Sequence, residues 1–194
     1  MTWIESFGVL TGLISVWLTV RNNVWCWFWG IVSVTLYVGV FFRERLYADM
    51  SLQIVFIATN LYGWYVWLRG GEHHTKRVIT KIPLPTAVTL AIGTLCYAVM
   101  TGWLLKRTTD ASLPEMDAFL TSMSLAAVWM QARKYREHWL VWFAADVLYV
   151  GMFVWKSLWM TAVLYAVFTV LAVIGFVEWN KEVLRSESFR VQSS

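Results

Sequence analysis

The chain alternates between long apolar stretches and short polar joints. Seven stretches are mainly apolar over the roughly 20 residues that a helix needs to cross a bilayer. Each stretch is continuous rather than alternating, and each is too long for a barrel strand of roughly ten residues. The pattern therefore predicts an all-α integral membrane protein with seven transmembrane helices, at residues 3–20, 24–42, 48–68, 84–105, 117–132, 139–155 and 158–179.

The composition agrees with a membrane protein and narrows the alternatives. Of 194 residues, 59% are hydrophobic and 14% are charged, whereas soluble domains are about a quarter charged. Two cysteines are too few for a disulfide scaffold, and a net charge of +4 does not indicate a nucleic-acid partner. Many of the 14 tryptophans lie near the ends of the predicted helices, where aromatic rings anchor a protein at the membrane interface.

The lysines and arginines predict the orientation of the chain. Of 16 basic residues, five fall on the side of the amino terminus and eleven fall on the opposite side. The five are Arg43, Arg45, Lys106, Arg107 and Lys156. Because the more basic side of a membrane protein stays in the cytoplasm, we expect the amino terminus outside the cell and the carboxyl terminus inside.

An internal repeat relates the two ends of the chain. When the sequence is shifted by 112 residues without a gap, residues 36–39 (Leu-Tyr-Val-Gly) align with the identical residues 148–151. The same shift aligns Arg21 with Arg133, Trp27 with Trp139, Gly63 with Gly175 and Trp67 with Trp179. The first three predicted helices therefore resemble the last three, and the fourth helix has no counterpart.

The repeat predicts the architecture. Three helices reverse the direction of the chain, so one extra helix is needed for two copies to point the same way. Such a 3+1+3 parallel repeat is typical of transporters that hold their substrate between the halves, near the membrane midplane. We expect a first three-helix bundle at 1–68, a cytoplasmic loop and linker helix at 69–115, a second bundle at 116–180 and a cytoplasmic tail at 181–194.

One acid lies deep in a predicted helix. Asp146 is near the middle of the span 139–155, where a charged group is costly and usually functional. Trp139, Trp142, Asp146 and Tyr149 follow one another at intervals of three or four residues, so they share one helical face. Aromatic rings with one carboxylate suit a flat cationic ring, held by stacking and ion pairing. The alternative is a protonated structural acid that forms a hydrogen bond with a neighbouring helix.

Two amides form a weaker candidate site. Gln53 and Asn60 lie seven residues apart on one face of the third span. Amides satisfy the donors and acceptors of a sugar or a carboxamide, but they also join helices through hydrogen bonds. His73 and His74 lack the further ligands of a metal site. Because the sequence holds no phosphate-binding loop, nucleophile elbow or HExxH motif, we expect no enzyme activity, no metal and no cofactor.

Four segments resemble the PnuC family of vitamin-precursor transporters. They are residues 22–27 (Asn-Asn-Val-Trp-Cys-Trp), Gln53 with 60–67 (Asn-Leu-Tyr-Gly-Trp-Tyr-Val-Trp), 82–85 (Ile-Pro-Leu-Pro) and 132–142, which ends in Trp139-Leu-Val-Trp142. The resemblance covers nearly the whole chain in order. It implies a seven-helix fold like that of the SWEET sugar transporters, in a bacterial inner membrane and often assembled as a homotrimer.

The resemblance also implies a substrate and a mechanism. Typical members take up nicotinamide riboside by facilitated diffusion, and a cytoplasmic kinase traps the product inside. Trp139 and Trp142 match the Trp-x-x-Trp motif of the family, and Gln53 and Asn60 match its amides in the third helix. Many members that carry nicotinamide riboside have asparagine at the position of Asp146, and some relatives carry thiamine or riboflavin.

Other functions are compatible with parts of this pattern. Thiamine is a cationic aromatic like nicotinamide riboside, so Asp146 does not separate the two, whereas neutral riboflavin is disfavoured. A substrate-binding subunit of an ATP-driven vitamin importer would also bind such a ligand, but it would transport nothing alone. A retinal protein needs a Schiff-base lysine in its last span, and residues 158–179 contain none.

Overall fold

Seven α-helices make up almost all of the computed structural model, which describes residues 3–43, 47–71, 77–108, 113–155 and 157–192. Helices satisfy their backbone hydrogen bonds internally, which long apolar segments in lipid require. The helices are α1 (Trp3–Val20), α2 (Trp25–Arg43), α3 (Tyr47–Arg69), α4 (Leu84–Thr108), α5 (Pro114–Ala132), α6 (His138–Trp155) and α7 (Trp159–Gln192). This architecture confirms the predicted seven-helix fold, although α7 continues well beyond the predicted end of the last span at residue 179.

The outer surface of the helices is apolar. Within the described ranges, Leu84–Thr108, His138–Trp155 and Trp159–Ser186 are each long and apolar enough to cross a bilayer, and Ser6–Val20 and Trp25–Gly39 are shorter apolar stretches. On α4, large apolar side chains are exposed along most of the helix, among them Val88, Ile92, Leu95 and Val99. An apolar surface of this extent needs lipid or another protein to cover it.

The helices pack as two bundles joined by a linker. Helices α1, α2 and α3 pack in sequence, as do α5, α6 and α7, while α4 packs along α5. Small residues allow close contacts between neighbours: the Ser33 hydroxyl of α2 donates to the Gly8 carbonyl of α1 at 2.8 Å, and Gly102 of α4 lies against Ala118 of α5. The two bundles touch through α1 with α7 and through α3 with α5.

Two hydrogen bonds show that the bundles are related by an approximate two-fold axis. The Trp67 indole nitrogen donates to the Gln131 carbonyl at 3.0 Å, and the Trp179 indole nitrogen donates to the Thr19 carbonyl at 3.0 Å. Both donors and both acceptors are related by the repeat offset, so the same bond is made twice across the axis. The carboxyl ends of α1, α3 and α5 therefore meet the part of α7 around Trp179 at one end of the two bundles, which confirms that the repeats are parallel.

The turns after α1 and α5 also repeat one another. Asn22 and Lys134 are equivalent positions, and both adopt left-handed backbone conformations, with φ values of 51° and 55°. They face each other at the axis, where the Lys134 ammonium nitrogen donates to the Asn22 side-chain oxygen at 2.6 Å. The Lys134 nitrogen also lies 4.2 Å from the centre of the Trp67 ring, which compensates a buried cation.

A tryptophan row runs through this interface. It consists of Trp27, Trp67, Trp179 and Trp139, and successive ring centres are 5.4, 5.9 and 5.9 Å apart. All four residues are at least 98% buried. The row therefore fills the contact between the bundles with rigid aromatic packing.

Candidate functional site

Asp146 lies in the middle of α6 and points into the protein. Only 4% of the residue is exposed, and its neighbour Ala145 belongs to a fully buried cluster with Leu120. No hydrogen bond or ion pair connects the Asp146 carboxylate to another residue in the described part of the chain. A buried carboxylate without a protein partner is costly and is suited to a ligand that supplies the missing charge or donor.

Three aromatic rings pack together beside Asp146. The Tyr149 and Tyr165 ring centres are 4.6 Å apart, Phe153 and Tyr165 are 5.2 Å apart, and Tyr149 and Phe153 are stacked at 5.9 Å. The Asp146 carboxylate is close enough to interact electrostatically with both tyrosine hydroxyl groups. We call Asp146, Tyr149, Phe153 and Tyr165 the acidic aromatic cluster. It joins α6 to α7 inside the second bundle.

The acidic aromatic cluster includes a residue that the sequence reasoning missed. Tyr165 was not a candidate, because one tyrosine in an apolar span is ordinary. Its repeat counterpart, however, is Gln53, which was a candidate. Alignment of the halves would have made Tyr165 a candidate, because it occupies the position in the second bundle that Gln53 occupies in the first.

Two of the four residues of the acidic aromatic cluster differ from their counterparts in the first bundle. Tyr149 and Phe153 have identical counterparts, Tyr37 and Phe41, but Asp146 and Tyr165 do not, and Trp142 on the same helix differs as well. The differing pairs are Val34 and Asp146, Gly30 and Trp142, and Gln53 and Tyr165. The acid and the extra rings are therefore features of one bundle and are not required by the fold that both bundles share.

Trp139 lies apart from the acidic aromatic cluster. Its ring is buried against the backbone of Gly175, next to Trp179 and beneath His138. Trp27 packs on Gly63 in the same way in the first bundle. Because the arrangement is duplicated, the position of Trp139 follows from packing. Trp142, half-buried against the tryptophan row, lies between that row and Asp146 along α6.

The two amides of α3 have different surroundings. Asn60 is half-buried, donates to the Phe56 carbonyl of its own helix at 2.7 Å and places its side-chain oxygen against Gly30 of α2. This contact joins α2 to α3 and fits the role of an interhelical contact. Gln53 is half-buried near the start of α3, and within the described ranges its side chain makes no hydrogen bond of this kind.

The described residues also bear on the predicted absence of a metal. No group of three or more histidine, cysteine or acidic residues converges within the described ranges. His138 is fully buried, and its Nδ1 atom lies 2.8 Å from the Tyr135 carbonyl oxygen. His73 and His74 lie outside the described residues.

Two parallel three-helix bundles around an approximate two-fold axis, with a buried acid on one side, define a membrane transporter of the parallel-repeat class. Comparisons with known proteins give the family. The profile described as "Nicotinamide mononucleotide transporter" matches residues 2–181. The chain belongs to this family, whose members are transporters, so it is a membrane transporter and not an enzyme.

Individual relatives agree with this assignment. The nicotinamide riboside transporter PnuC of Escherichia coli (strain K12) is 30% identical over 204 residues, which cover 92% of this chain and 85% of that protein. The riboflavin/roseoflavin transporter RibM of Streptomyces davaonensis is 25% identical over 183 residues, covering 91% and 84%. The crystal structure of the vitamin B3 transporter PnuC matches with a TM-score of 0.73 at 20% identity, covering 94% of this chain and 83% of that one. The predicted resemblance to the PnuC family is confirmed.

Proposed function

We propose that this transporter takes up nicotinamide riboside across the bacterial inner membrane by facilitated diffusion. The two bundles alternate between opening outward and opening inward, and a cytoplasmic kinase traps the product by phosphorylation. The observation that carries the proposal is the buried carboxylate of Asp146, which lies beside Tyr149 and Tyr165 and has no hydrogen-bond or ion-pair partner among the described residues. The predicted ligand residues are Asp146, Trp142, Trp139, Tyr149, Gln53 and Asn60.

Charge supports a cationic aromatic substrate. The pyridinium ring of nicotinamide riboside carries a positive charge that can pair with Asp146 while aromatic rings stack against its face. The bound cation offsets the cost of removing the Asp146 carboxylate from water. Riboflavin is a larger neutral molecule and does not provide this pairing, although the relative RibM is named for it.

The negative charge of Asp146 also favours nicotinamide riboside over nicotinamide mononucleotide, the compound named in the family description. A phosphate group adds negative charge, which a nearby carboxylate repels. Helix α6, which supplies Asp146, contains no lysine or arginine that could pair with a phosphate. Thiamine remains the alternative substrate, since it is also a cationic aromatic.

Topology and assembly follow the same proposal. The amino terminus lies outside and the carboxyl terminus lies in the cytoplasm, because eleven of the 16 basic residues are on the carboxyl-terminal side. With this orientation, the contact of Asn22 with Lys134 lies on the cytoplasmic side of the protein. The resemblance to PnuC transporters supports assembly as a homotrimer.

The test measures binding and uptake by Asp146→Asn. The probes are nicotinamide riboside, thiamine and dihydronicotinamide riboside, which has nearly the shape of the first but no positive charge. We expect Asp146→Asn to weaken binding of the cationic substrate by roughly tenfold and to leave the uncharged analogue nearly unchanged, since the ion pair alone is lost. Glu178→Gln removes an exposed acid of α7 and serves as the control.

Purified protein in liposomes separates the remaining alternatives. Uptake by the chain alone supports facilitated diffusion, whereas binding without uptake indicates the substrate-binding subunit of an importer. Preference of the wild-type protein for thiamine would replace nicotinamide riboside as the substrate. Equal loss of binding for the charged and uncharged probes would show that Asp146 acts in packing, and the assignment of the site would then be wrong.

A further inference from the structure

Helices α4 and α5 diverge towards one end of the molecule and leave a groove between them. At the carboxyl end of α4 the two helices are in close contact, since a Cβ atom on Gly102 would lie 3.3 Å from the Glu115 Cα atom. Towards the amino end of α4 a cavity of about 490 Å³ opens, lined by Pro85, Thr86, Thr89, Gly93 and Trp129 among others. The groove is open to the outer surface, where lipid surrounds the protein.

The groove ends beside the turn that connects α5 to α6. The Thr80 nitrogen donates to the Lys134 carbonyl at 3.0 Å, and the Arg136 nitrogen donates to the Thr80 carbonyl at 3.1 Å. The Ile82 nitrogen donates to the Glu137 carboxylate at 2.9 Å. These bonds hold the segment before α4 against the α5–α6 turn, so the amino end of the groove lies at the polar boundary of the helices.

This end of the groove is positively charged. The Arg133 guanidinium lies 5.5 Å from the centre of the Trp129 ring, which lines the groove. The Arg133 Nε atom is buried and has no hydrogen-bond partner among the described residues. Glu137 lies nearby but pairs with Arg136 at 3.0 Å, so it does not compensate Arg133. A basic end joined to an apolar groove is complementary to an acidic head group joined to an acyl chain.

We propose that this groove binds an anionic phospholipid, with an acyl chain between α4 and α5 and the phosphate next to Arg133. Thr86 and Thr89 line the groove between its amino end and Gly93, and threonine hydroxyl groups can donate to the ester oxygens of a lipid. Basic pockets between transmembrane helices attract acidic head groups, and the negative surface potential of a membrane strengthens that attraction.

The test is native mass spectrometry of the full chain released from detergent containing either phosphatidylglycerol or phosphatidylcholine. We expect the wild-type protein to retain phosphatidylglycerol preferentially and Arg133→Gln to reduce that retention about fivefold, the effect of removing one interfacial cation. Arg107→Gln is the matched control, because Arg107 also stacks on a tryptophan, Trp103, but at the other end of α4. It should leave phosphatidylglycerol retention unchanged.

A second variant tests the acyl part of the groove. A Cβ atom on Gly93 would meet nothing within 4 Å, so the side chain of Gly93→Leu can extend into the groove and should reduce retention of the lipid. Gly151→Leu adds the same side chain at another open glycine, on α6, and should not. Equal retention of the two lipids, or equal losses in Arg133→Gln and Arg107→Gln, would overturn the proposal. A change of oligomeric state in Gly93→Leu with unchanged lipid retention would assign the groove to a second copy of the chain and would also overturn it.

Discussion

Single glycines decide how the tryptophan row fits between the helices. Trp27 lies on Gly63 and Trp139 lies on Gly175, and in both cases a Cβ atom on the glycine would overlap the indole ring. The ring is fully buried, so it has no free volume into which it could move. Glycine is required here by the close approach of a side chain and not by backbone conformation.

Alanine at these positions should destabilise the protein in both bundles. We expect Gly63→Ala and Gly175→Ala each to cost about 1–3 kcal/mol through overpacking, which would lower the thermal unfolding midpoint by roughly 2–4 °C per kcal/mol. Gly39→Ala and Gly151→Ala are the matched controls, because these equivalent glycines have open space around them. They should be neutral or slightly stabilising, since alanine favours a helix. Scanning fluorimetry in detergent measures all four, and equal midpoints would contradict the packing explanation.

The turns are the elements in which the two halves depend on each other. Asn22 and Lys134 each end a helix with a positive φ value, and their side chains then meet across the axis. Asn22 also donates to the Glu182 carboxylate of α7 at 3.1 Å. One turn of the first bundle therefore contacts both the α5–α6 turn and the extension of α7.

A double-mutant cycle with glycine can isolate the contact between these turns. Glycine tolerates a positive φ value, so Asn22→Gly and Lys134→Gly remove the side chains without straining the backbone. We expect a coupling free energy of about 1.5 kcal/mol, typical of a hydrogen bond with one charged partner. Ser157→Gly, at a third residue with positive φ (58°), reports the effect of glycine alone. Additivity of the two substitutions within about 0.5 kcal/mol would show that the contact contributes little.

At the scale of the whole molecule, the bundles are joined at one end by bonds from Trp67 and Trp179. These are the two inner members of the tryptophan row, and their indole nitrogens donate across the axis. The outer members, Trp27 and Trp139, have buried indole nitrogens with no partner among the described residues. Two rings of the row therefore form hydrogen bonds across the axis, and the other two contribute packing only.

Phenylalanine substitutions separate these two contributions. We expect Trp67→Phe and Trp179→Phe each to destabilise the protein by about 1 kcal/mol more than Trp27→Phe and Trp139→Phe, because only the first pair loses a hydrogen bond between the bundles. The approximate two-fold axis predicts similar values within each pair. Chemical unfolding in mixed micelles provides the measurement, and equal effects for all four substitutions would mean that the cross-axis bonds add nothing to packing.

The sequence predicted the helices well because hydropathy alone limits where a chain can cross lipid. It failed at the end of α7, since residues beyond Trp179 are polar and continue the helix for local reasons such as the Lys181–Glu178 pair at 2.7 Å. The repeat was predictable because tryptophan and glycine are rare enough to align by more than chance. Their physical role, a ring lying on a glycine, could not be predicted, since it depends on contacts between helices.

The site was predictable only in part. The burial of Asp146 followed from its depth in an apolar span. The spacing correctly placed Trp139, Trp142 and Tyr149 on one face of α6. A shared face does not specify how far apart the residues lie along the helix. Trp139 lies two turns before Asp146 on α6 and packs against Trp179. Tyr165, which belongs to α7, interacts with the Asp146 carboxylate. Interhelical neighbours of this kind are set by how α6 and α7 cross, which spacing within one helix does not specify.

The counterpart of Asp146 in the first bundle is Val34. The two bundles therefore share a fold, but only the second has an acid at this position. Under the proposed mechanism, a cation that pairs with Asp146 is held by the second bundle. The first bundle, which has an uncharged side chain at this position, then moves relative to the bound substrate.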